Sequence, residues 1–369
     1  MTEVEENYEK IRVLFNTGVN TKLPKHELTD KLISSLYSEE EALIVSKSFN
    51  NVREYLTIDK ISERSGVTDK EKLQTILDHM VYIETLMKKE DGTYFMIPYL
   101  PGIFETYFTA SRDTPEKLKE AGKAHRGLRA IGFHREAYDP ISPPTSFNSE
   151  SNWRFVPTIE PVLGTIEINK NLEIKNEILT YEILAQHWSK FEVFSESPCS
   201  CREVGKLADD PCKRTTENFC MQAGDVAKHM IKNGTGKQLT YGQAMERFKM
   251  AEKHGLIHST GNREDPSNFI CNCCPCCCMP LAPVVKGYRE GVTKSNFDPI
   301  INHEECILCN TCVDICPMET IESIGEKIVI NLDYCLGCGV CAANCDQGAI
   351  SLEKVRSQTP QPSEEKITS

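Results

Sequence analysis

The sequence predicts an α+β protein in which helices come first, sheet follows, and metal ligands gather toward the C-terminus. Three observations carry that expectation. Apolar residues recur at three- and four-residue spacing between positions 26 and 89, and short alternating segments begin at Trp153. All eighteen cysteines fall between positions 199 and 345. The 369 residues suffice for two or three domains.

Residues 1–24 are polar and read as a flexible N-terminus. His26–Tyr37 and Glu39–Phe49 have helical periodicity. Thr57–Ser65, Gly66 and Asp69–Lys89 read as helix, turn and longer helix, and Gly92–Ile97 alternates like a hairpin strand. This order, over residues 25–110, resembles a winged helix, which either binds DNA or serves only for docking. Between Thr57 and Asp91 there are six basic and eight acidic residues, a poor balance for phosphate contacts. Residues 111–150 read as a linker or helical connector: a basic run, KLKEAGKAHRGLR, and then DPISPP. The basic run is a solvated helix face or a docking surface.

Residues 151–296 form the expected α/β Cys-rich middle domain. Trp153–Ile174 reads as short strands, and Thr180–Lys190 and Thr216–Lys232 as helices. Thr240–His254 is better specified, with a Thr240/Gln243 capping box and Gly255 as a left-handed stop. Its apolar stripe (Ala244, Met245, Phe248, Ala251) is expected to pack on the Cys-rich segments. A compact C-terminal domain follows at 297–355, and residues 356–369 read as a disordered tail.

Charge and hydropathy exclude several classes. Forty-two Lys and Arg against fifty-four Asp and Glu give −12, so no nucleic-acid partner is expected. Residues 301–355 alone hold nine acids and two lysines, which favours a basic protein partner. The uncharged run containing Cys271–Val285 is too rich in Cys and Pro to span a membrane, and the acidic N-terminus does not read as a secretory signal. A cytoplasmic chain is expected. There, dense and regularly spaced cysteines read as metal ligands rather than disulfides. No G-x-G-x-x-G follows a strand and there is no P-loop, so no nucleotide cofactor is expected.

The strongest signal is a duplication. Cys306, Cys309, Cys312 and Cys316 form C-x2-C-x2-C-x3-C, followed by Pro317. Cys335, Cys338, Cys341 and Cys345 repeat it 29 residues later, and Ile321 and Ile350 keep the offset. A cubane needs four converging thiolates, three from a tight loop and one from further away. With this pattern, residues 297–355 resemble a bacterial two-[4Fe–4S] ferredoxin. The resemblance implies a crossover of the fourth cysteine. One cluster would then use Cys306, Cys309, Cys312 and Cys345, and the other Cys335, Cys338, Cys341 and Cys316. Gly337 and Gly339 suit close approach of backbone to cluster. Asp346 stands where the second motif usually has Pro, and an acid beside Cys345 should lower the potential of the cluster that Cys345 joins.

Ten cysteines lie upstream: Cys199 and Cys201 in PCSCR, Cys212, Cys220, and CNCCPCCC with Cys271, Cys273, Cys274, Cys276, Cys277 and Cys278. Adjacent side chains diverge, so six thiols in eight residues cannot all meet one small ion. The economical arrangement puts Cys199, Cys201, Cys212 and Cys220 around one centre and four of the clustered thiols around another. A mixed site drawing on both segments is the alternative. One or two further iron–sulfur clusters, or zinc, fit these donors. Arg202 could hold an anionic group or be a surface residue. His254, His258 and His303 are weak ligand candidates.

Together, Cys199–Arg202, Cys212, Cys220, Gly255–His258, Asn262 and Phe269–Cys278 resemble a family of larger ferredoxin-containing proteins of anaerobes. That resemblance implies an iron–sulfur electron-transfer protein. Low-potential electrons would pass through two C-terminal clusters, to or from the upstream Cys-rich centre or a partner oxidoreductase. The alternatives are a redox-sensing winged-helix regulator, an oxidoreductase with its active centre at 271–278, or a carrier that delivers clusters.

Overall fold

The computed structural model describes residues 2–17, 22–132, 147, 151, 153–159, 184–263 and 268–360. The expected strands at 160–174, the start of the Thr180–Lys190 helix, the DPISPP connector and the end of the tail lie outside the described residues. Helix and sheet are mixed, as the α+β class requires. The chain divides into two compact units, residues 1–142 with 199–211, and residues 143–198 with 212–369.

The first unit is mainly helical. Its N-terminus differs from the flexible segment read from sequence: α1 (Glu3–Phe15) starts from a Thr2/Glu5 capping box and buries Ile11, Leu14 and Phe15. Those three apolar residues on one face are what holds a segment whose composition is otherwise polar. Helices α2 (Glu27–Leu36) and α3 (Glu39–Ser48) follow as expected. Next comes α4 (Ile58–Ser65), a left-handed Gly66, and α5 (Lys70–Tyr82). Helix α5 stops seven residues short of the expected Lys89, with Glu84 at positive φ. The chain then enters a hairpin, β1 (Met87–Lys88) pairing antiparallel with β2 (Tyr94–Phe95). Helices α6 (Phe104–Ala110) and α7 (Pro115–Ala130) complete the run, so the 111–150 connector begins with a helix of this unit.

Residues 199–211 return to the first unit. They carry α9 (Ser200–Leu207), which follows in chain order the short α8 (Leu184–Trp188) of the second unit. A Cβ on Gly122 of α7 would come within 2.7 Å of Leu207, so the two helices meet where there is no side chain. Lys119 and Lys123 both pair with Asp209, at 3.3 and 3.0 Å, and Arg126 pairs with Asp210. Much of the basic run is therefore engaged within its own unit.

The second unit is built on a six-stranded antiparallel sheet. Its strands are β3 (Trp153–Val156), β4 (Phe194–Ser197), β5 (Cys220–Ala223), β6 (Lys237–Leu239), β7 (Ile257–Gly261) and β8 (Phe269–Cys273). They lie in the order β3-β7-β8-β5-β4-β6. The expected helix at Thr216–Lys232 is a strand followed by a shorter helix, α10 (Gly224–Lys232). Cys220–Ala223 is drawn into the ladder by partners on both sides, β4 and β8. Helix α11 (Tyr241–Lys253) has the expected Thr240/Gln243 capping box, with Gly255 at φ 69°.

Side chains alternate across the sheet and separate two cores. On one face Met221, Ile270, Phe194 and Trp188 pack with Ala244 and Phe248 of α11. On the other, Phe155, Ile257 and Cys273 pack with Leu281 and Val284 of α12 (Leu281–Val285) and with the C-terminal domain.

That domain is ferredoxin-like. Strands β9 (Phe297–Ile301) and β12 (Ile350–Lys354) pair antiparallel, as do β10 (Ile321–Ile324) and β11 (Lys327–Ile330). Two short helices, α13 (Thr311–Ile315) and α14 (Val340–Ala343), stand at corresponding places in the repeat. The start of the expected tail is docked: Arg356 pairs with Asp298 at 2.6 Å, and the Gln358 N–H donates to Asn296.

Candidate metal centres

Each C-x2-C-x2-C loop bends back on itself through two left-handed residues. In the first loop these are Leu308 (φ 57°) and Asn310 (φ 63°), and in the second Gly337 (φ 66°) and Gly339 (φ 76°). The positions correspond across the 29-residue offset. Glycine in the second loop is a packing requirement: a Cβ on Gly337 would fall on the Phe297 carbonyl oxygen, and one on Gly339 on the Thr158 hydroxyl. Close approach is thus to neighbouring protein as well as to anything the loop encloses.

Two concavities result. The first, of about 380 Å³, is lined by Cys306, Cys309, Cys312 and Cys345, together with Ile301, Ile328 and Ile350. The second, of about 310 Å³, is lined by Cys316, Cys335, Cys338 and Cys341, with Pro299, Met318 and Leu336. Each gathers three thiols from one motif and the last from the other. The donor sets, four thiols each within a largely apolar lining, suit a cubane.

The surroundings differ sharply. Cys309 is exposed, Cys306 and Cys345 are half-buried and Cys312 is buried, whereas Cys316, Cys335, Cys338 and Cys341 are all buried. Hydrogen bonding to Thr311, at 3.4 Å, holds the Cys309 thiol below its ordinary value, and nearby Asp346 pushes it the other way. Burial pushes the Cys335 thiol up to about 11 and raises Cys338 and Cys341 as well. Cys316 contacts the Thr320 hydroxyl at 3.6 Å, so each set has one threonine on a sulfur. The repeat carries Val340 and Ala349 in place of those threonines. Aligning the two copies against each other exposes this difference.

The basic side chains that hold this domain were also missed. Arg214 donates to the carbonyls of Ile315 and Cys316, at 2.9 and 3.3 Å. Lys253 donates to the carbonyl of Ala343 at 2.8 Å. Cations at the C-terminal ends of α13 and α14 complement their carbonyls. Single Arg and Lys residues of this kind leave no motif.

The upstream cysteines are sorted differently from the economical grouping. Cys199 and Cys201 belong to the first unit, with buried Arg202 on the same helix. Cys212 and Cys220 belong to the second, where each joins a different set. Cys212 meets Cys274, Cys276 and Cys277, their sulfurs all within 4.8 Å of one another. Hydrogen bonds from Cys274, Cys276 and Cys277 hold the Cys212 thiol far below its ordinary value, while hydrogen bonding to Cys212, Cys274 and Cys276 drives Cys277 up.

Cys220 lies directly opposite Cys271 in the β5–β8 ladder. Cys271 and Cys273 are two apart on one strand and so share the face turned toward the C-terminal domain. Hydrogen bonds to Cys220 and Cys273 raise the Cys271 thiol, and Cys278 folds back to place its sulfur 2.9 Å from that of Cys273. Strand alternation and the turn after Cys273 thus divide the six clustered thiols into two sets of three, and each receives one cysteine from further upstream.

The histidines are used elsewhere. His258 is buried with one ring nitrogen 2.6 Å from Asn272 and the other 2.9 Å from Glu252. His254 caps α11 and lies against Phe219, and His303 is exposed.

Paired four-thiol concavities on a ferredoxin-like frame define a dicluster iron–sulfur protein. A family model for the 4Fe-4S dicluster domain matches residues 298–357. Through that domain the chain belongs to the dicluster ferredoxin family, and it carries two [4Fe–4S] clusters. Pyruvate synthase subunit PorD of Methanothermobacter marburgensis is 40% identical over 73 residues, covering 18% of this chain and 86% of the relative. The delta subunit of NADH-dependent phenylglyoxylate dehydrogenase from Aromatoleum evansii is 34% identical over 68 residues, or 18% and 72%. PorD of Thermotoga maritima is 41% identical over 66 residues, or 18% and 66%. No solved structure matches the chain.

Proposed function

We propose that this chain transfers low-potential electrons between a partner oxidoreductase and its own buried cluster, with the solvent-facing cluster as the port. The ligands in this reading are Cys306, Cys309, Cys312 and Cys345 for the outer cluster, and Cys335, Cys338, Cys341 and Cys316 for the inner one. The observation that carries it is the gathering of the eight motif cysteines into two four-thiol concavities, one with the exposed Cys309 and one whose four thiols are all buried. Tunnelling favours an exposed entry point, and a dry second site protects the electron once it has arrived. The protein's part is to hold and insulate the clusters, since the redox chemistry is theirs.

The similar proteins are named as subunits of pyruvate synthase and phenylglyoxylate dehydrogenase, which supports a larger oxidoreductase as partner. The acidic surface of residues 301–355 suits a basic docking face on it. No described helix is long and apolar enough to cross a membrane. Eighteen cysteines read as metal ligands rather than disulfides fit a reducing, oxygen-poor cytoplasm.

The test is anaerobic purification, iron and sulfide analysis, and EPR during stepwise reduction. About eight irons and eight sulfides, with two reducible centres, is the expected result. A single centre, or none that accepts an electron, would sink the reading.

A regulatory reading draws on one feature, the α4–turn–α5–hairpin order, which resembles that of a winged helix. Against it, Lys70 and Lys72 of α5 are already paired with Asp59 and Glu40, at 2.6 and 2.5 Å. Binding to DNA that falls steeply with added salt would favour regulation over electron transfer.

A further inference from the structure

We propose that Cys212, Cys274, Cys276 and Cys277 form a closed tetrathiolate site for a single zinc ion. The distances choose the nuclearity. Cys212 stands 3.6 Å from Cys274 and 3.7 Å from Cys276, sulfur to sulfur, and Cys276 stands 3.7 Å from Cys277. Four thiolates about 2.3 Å from one zinc ion form a tetrahedron with edges of about 3.8 Å. Thiolates on the four irons of a cubane sit on separate metal atoms and must stand further apart. The four sulfurs here already lie within 4.8 Å of one another, the spread of a mononuclear site.

The donor set chooses the metal. Four thiolates with no oxygen or imidazole select a soft tetrahedral ion. Cys274 and Cys277 are buried and the other two half-buried, so the site has the four protein ligands of a structural centre and no position kept for substrate. Zinc has no accessible redox couple, so it can sit near the clusters without diverting their electrons. The backbone N–H groups of Arg214 and Lys213 reach Cys212 and Cys276, which offsets part of the charge of a four-thiolate centre.

Chain geometry gives the ion a purpose. It would fasten the 212–214 segment to the turn that ends β8, and Arg214 in that segment holds the carbonyls of Ile315 and Cys316. The zinc site would thereby steady the backbone of a buried-cluster ligand from outside the cluster.

The inference is independent of the electron-transfer reading, and one experiment separates them. Full-length chain purified without oxygen is analysed for zinc and iron, and its zinc-edge X-ray absorption is recorded. One zinc per chain with a shell of four sulfurs at about 2.3 Å is expected. Cys276→Ser should then lose zinc or drop to three sulfurs, with iron content and both EPR signals unchanged. Wild-type protein without zinc, a shell dominated by nitrogen or oxygen, or loss of about four irons in Cys276→Ser would each overturn the proposal. If the variant does not fold, the absorption spectrum of the wild-type protein decides.

Discussion

The two cysteine loops share a spacing and a backbone path, yet almost nothing around them is alike. The first faces water, and Leu308 and Asn310 hold its left-handed positions. The second is enclosed by Thr158, Ser295 and Phe297, and glycine occupies both positions. The backbone conformation therefore does not by itself require glycine here. Neighbours pressing on the loop do. A repeat that begins as two equal copies ends with one copy as a surface and the other as a core.

The largest break in that comparison comes from Gly337→Ala. The added methyl collides with the Phe297 carbonyl, and backbone cannot rotate away as a side chain can. A cost of about 4 kcal/mol is expected, of the size reserved for buried steric faults. Iron content should fall by about four per chain as the inner cluster is lost. Leu308→Ala, the equivalent change in the outer loop, should keep all its iron.

Thiol reactivity sharpens the contrast next. In protein stripped of its clusters at pH 8, Cys335, with its thiol near 11, is thiolate in roughly one molecule per thousand. Cys309, exposed and held below its ordinary value, is ionised far more often. Mass spectrometry of timed alkylation should find Cys309 modified on the order of a hundredfold faster. Raising the pH toward 11 should narrow the gap, because it is Cys335 that gains thiolate. Equal rates at pH 8 would mean the second loop opens when its cluster leaves.

A smaller effect concerns potential. Adding an electron makes a cluster more negative, so an adjacent carboxylate opposes reduction. Asp346 acts on Cys309 across the outer concavity. Asp346→Asn should raise the outer cluster's potential by about 20–60 mV, roughly 0.5–1.4 kcal/mol, and leave the inner one unmoved. Because the site is exposed, the shift should shrink in high salt. Potentiometric EPR resolves both centres.

The smallest is conformational. Leucine in the left-handed region costs about 1 kcal/mol, so Leu308→Gly should be nearly neutral or slightly stabilising in thermal melts. Marked destabilisation would show that the leucine side chain itself holds the outer loop.

What could be read from sequence follows the range of the interactions involved. The cysteine repeat was legible because spacing within a loop is local, as were the Thr240/Gln243 cap and the Gly255 stop. Helix α1 carries a local signal too, the Thr2/Glu5 capping box, but what holds it is Phe15 lying against Tyr37 and Tyr99, far along the chain. Cys220 was read into a helix because only pairing with Cys271 and Ser197 reveals a strand. Of the two groupings that sequence left open for the upstream thiols, the mixed one describes Cys212, which meets Cys274, Cys276 and Cys277, neighbours that spacing alone does not reveal.

The pairing of β9 with β12 sets Phe297 opposite Lys354, so the dicluster cassette begins and ends on adjacent strands. A module with abutting ends can be spliced to a foreign scaffold without prying it open. That architecture explains how a region spanning 18% of this chain can correspond to 86% of a much smaller relative. What this chain shares with those relatives is that cassette, and the remaining residues are built around it.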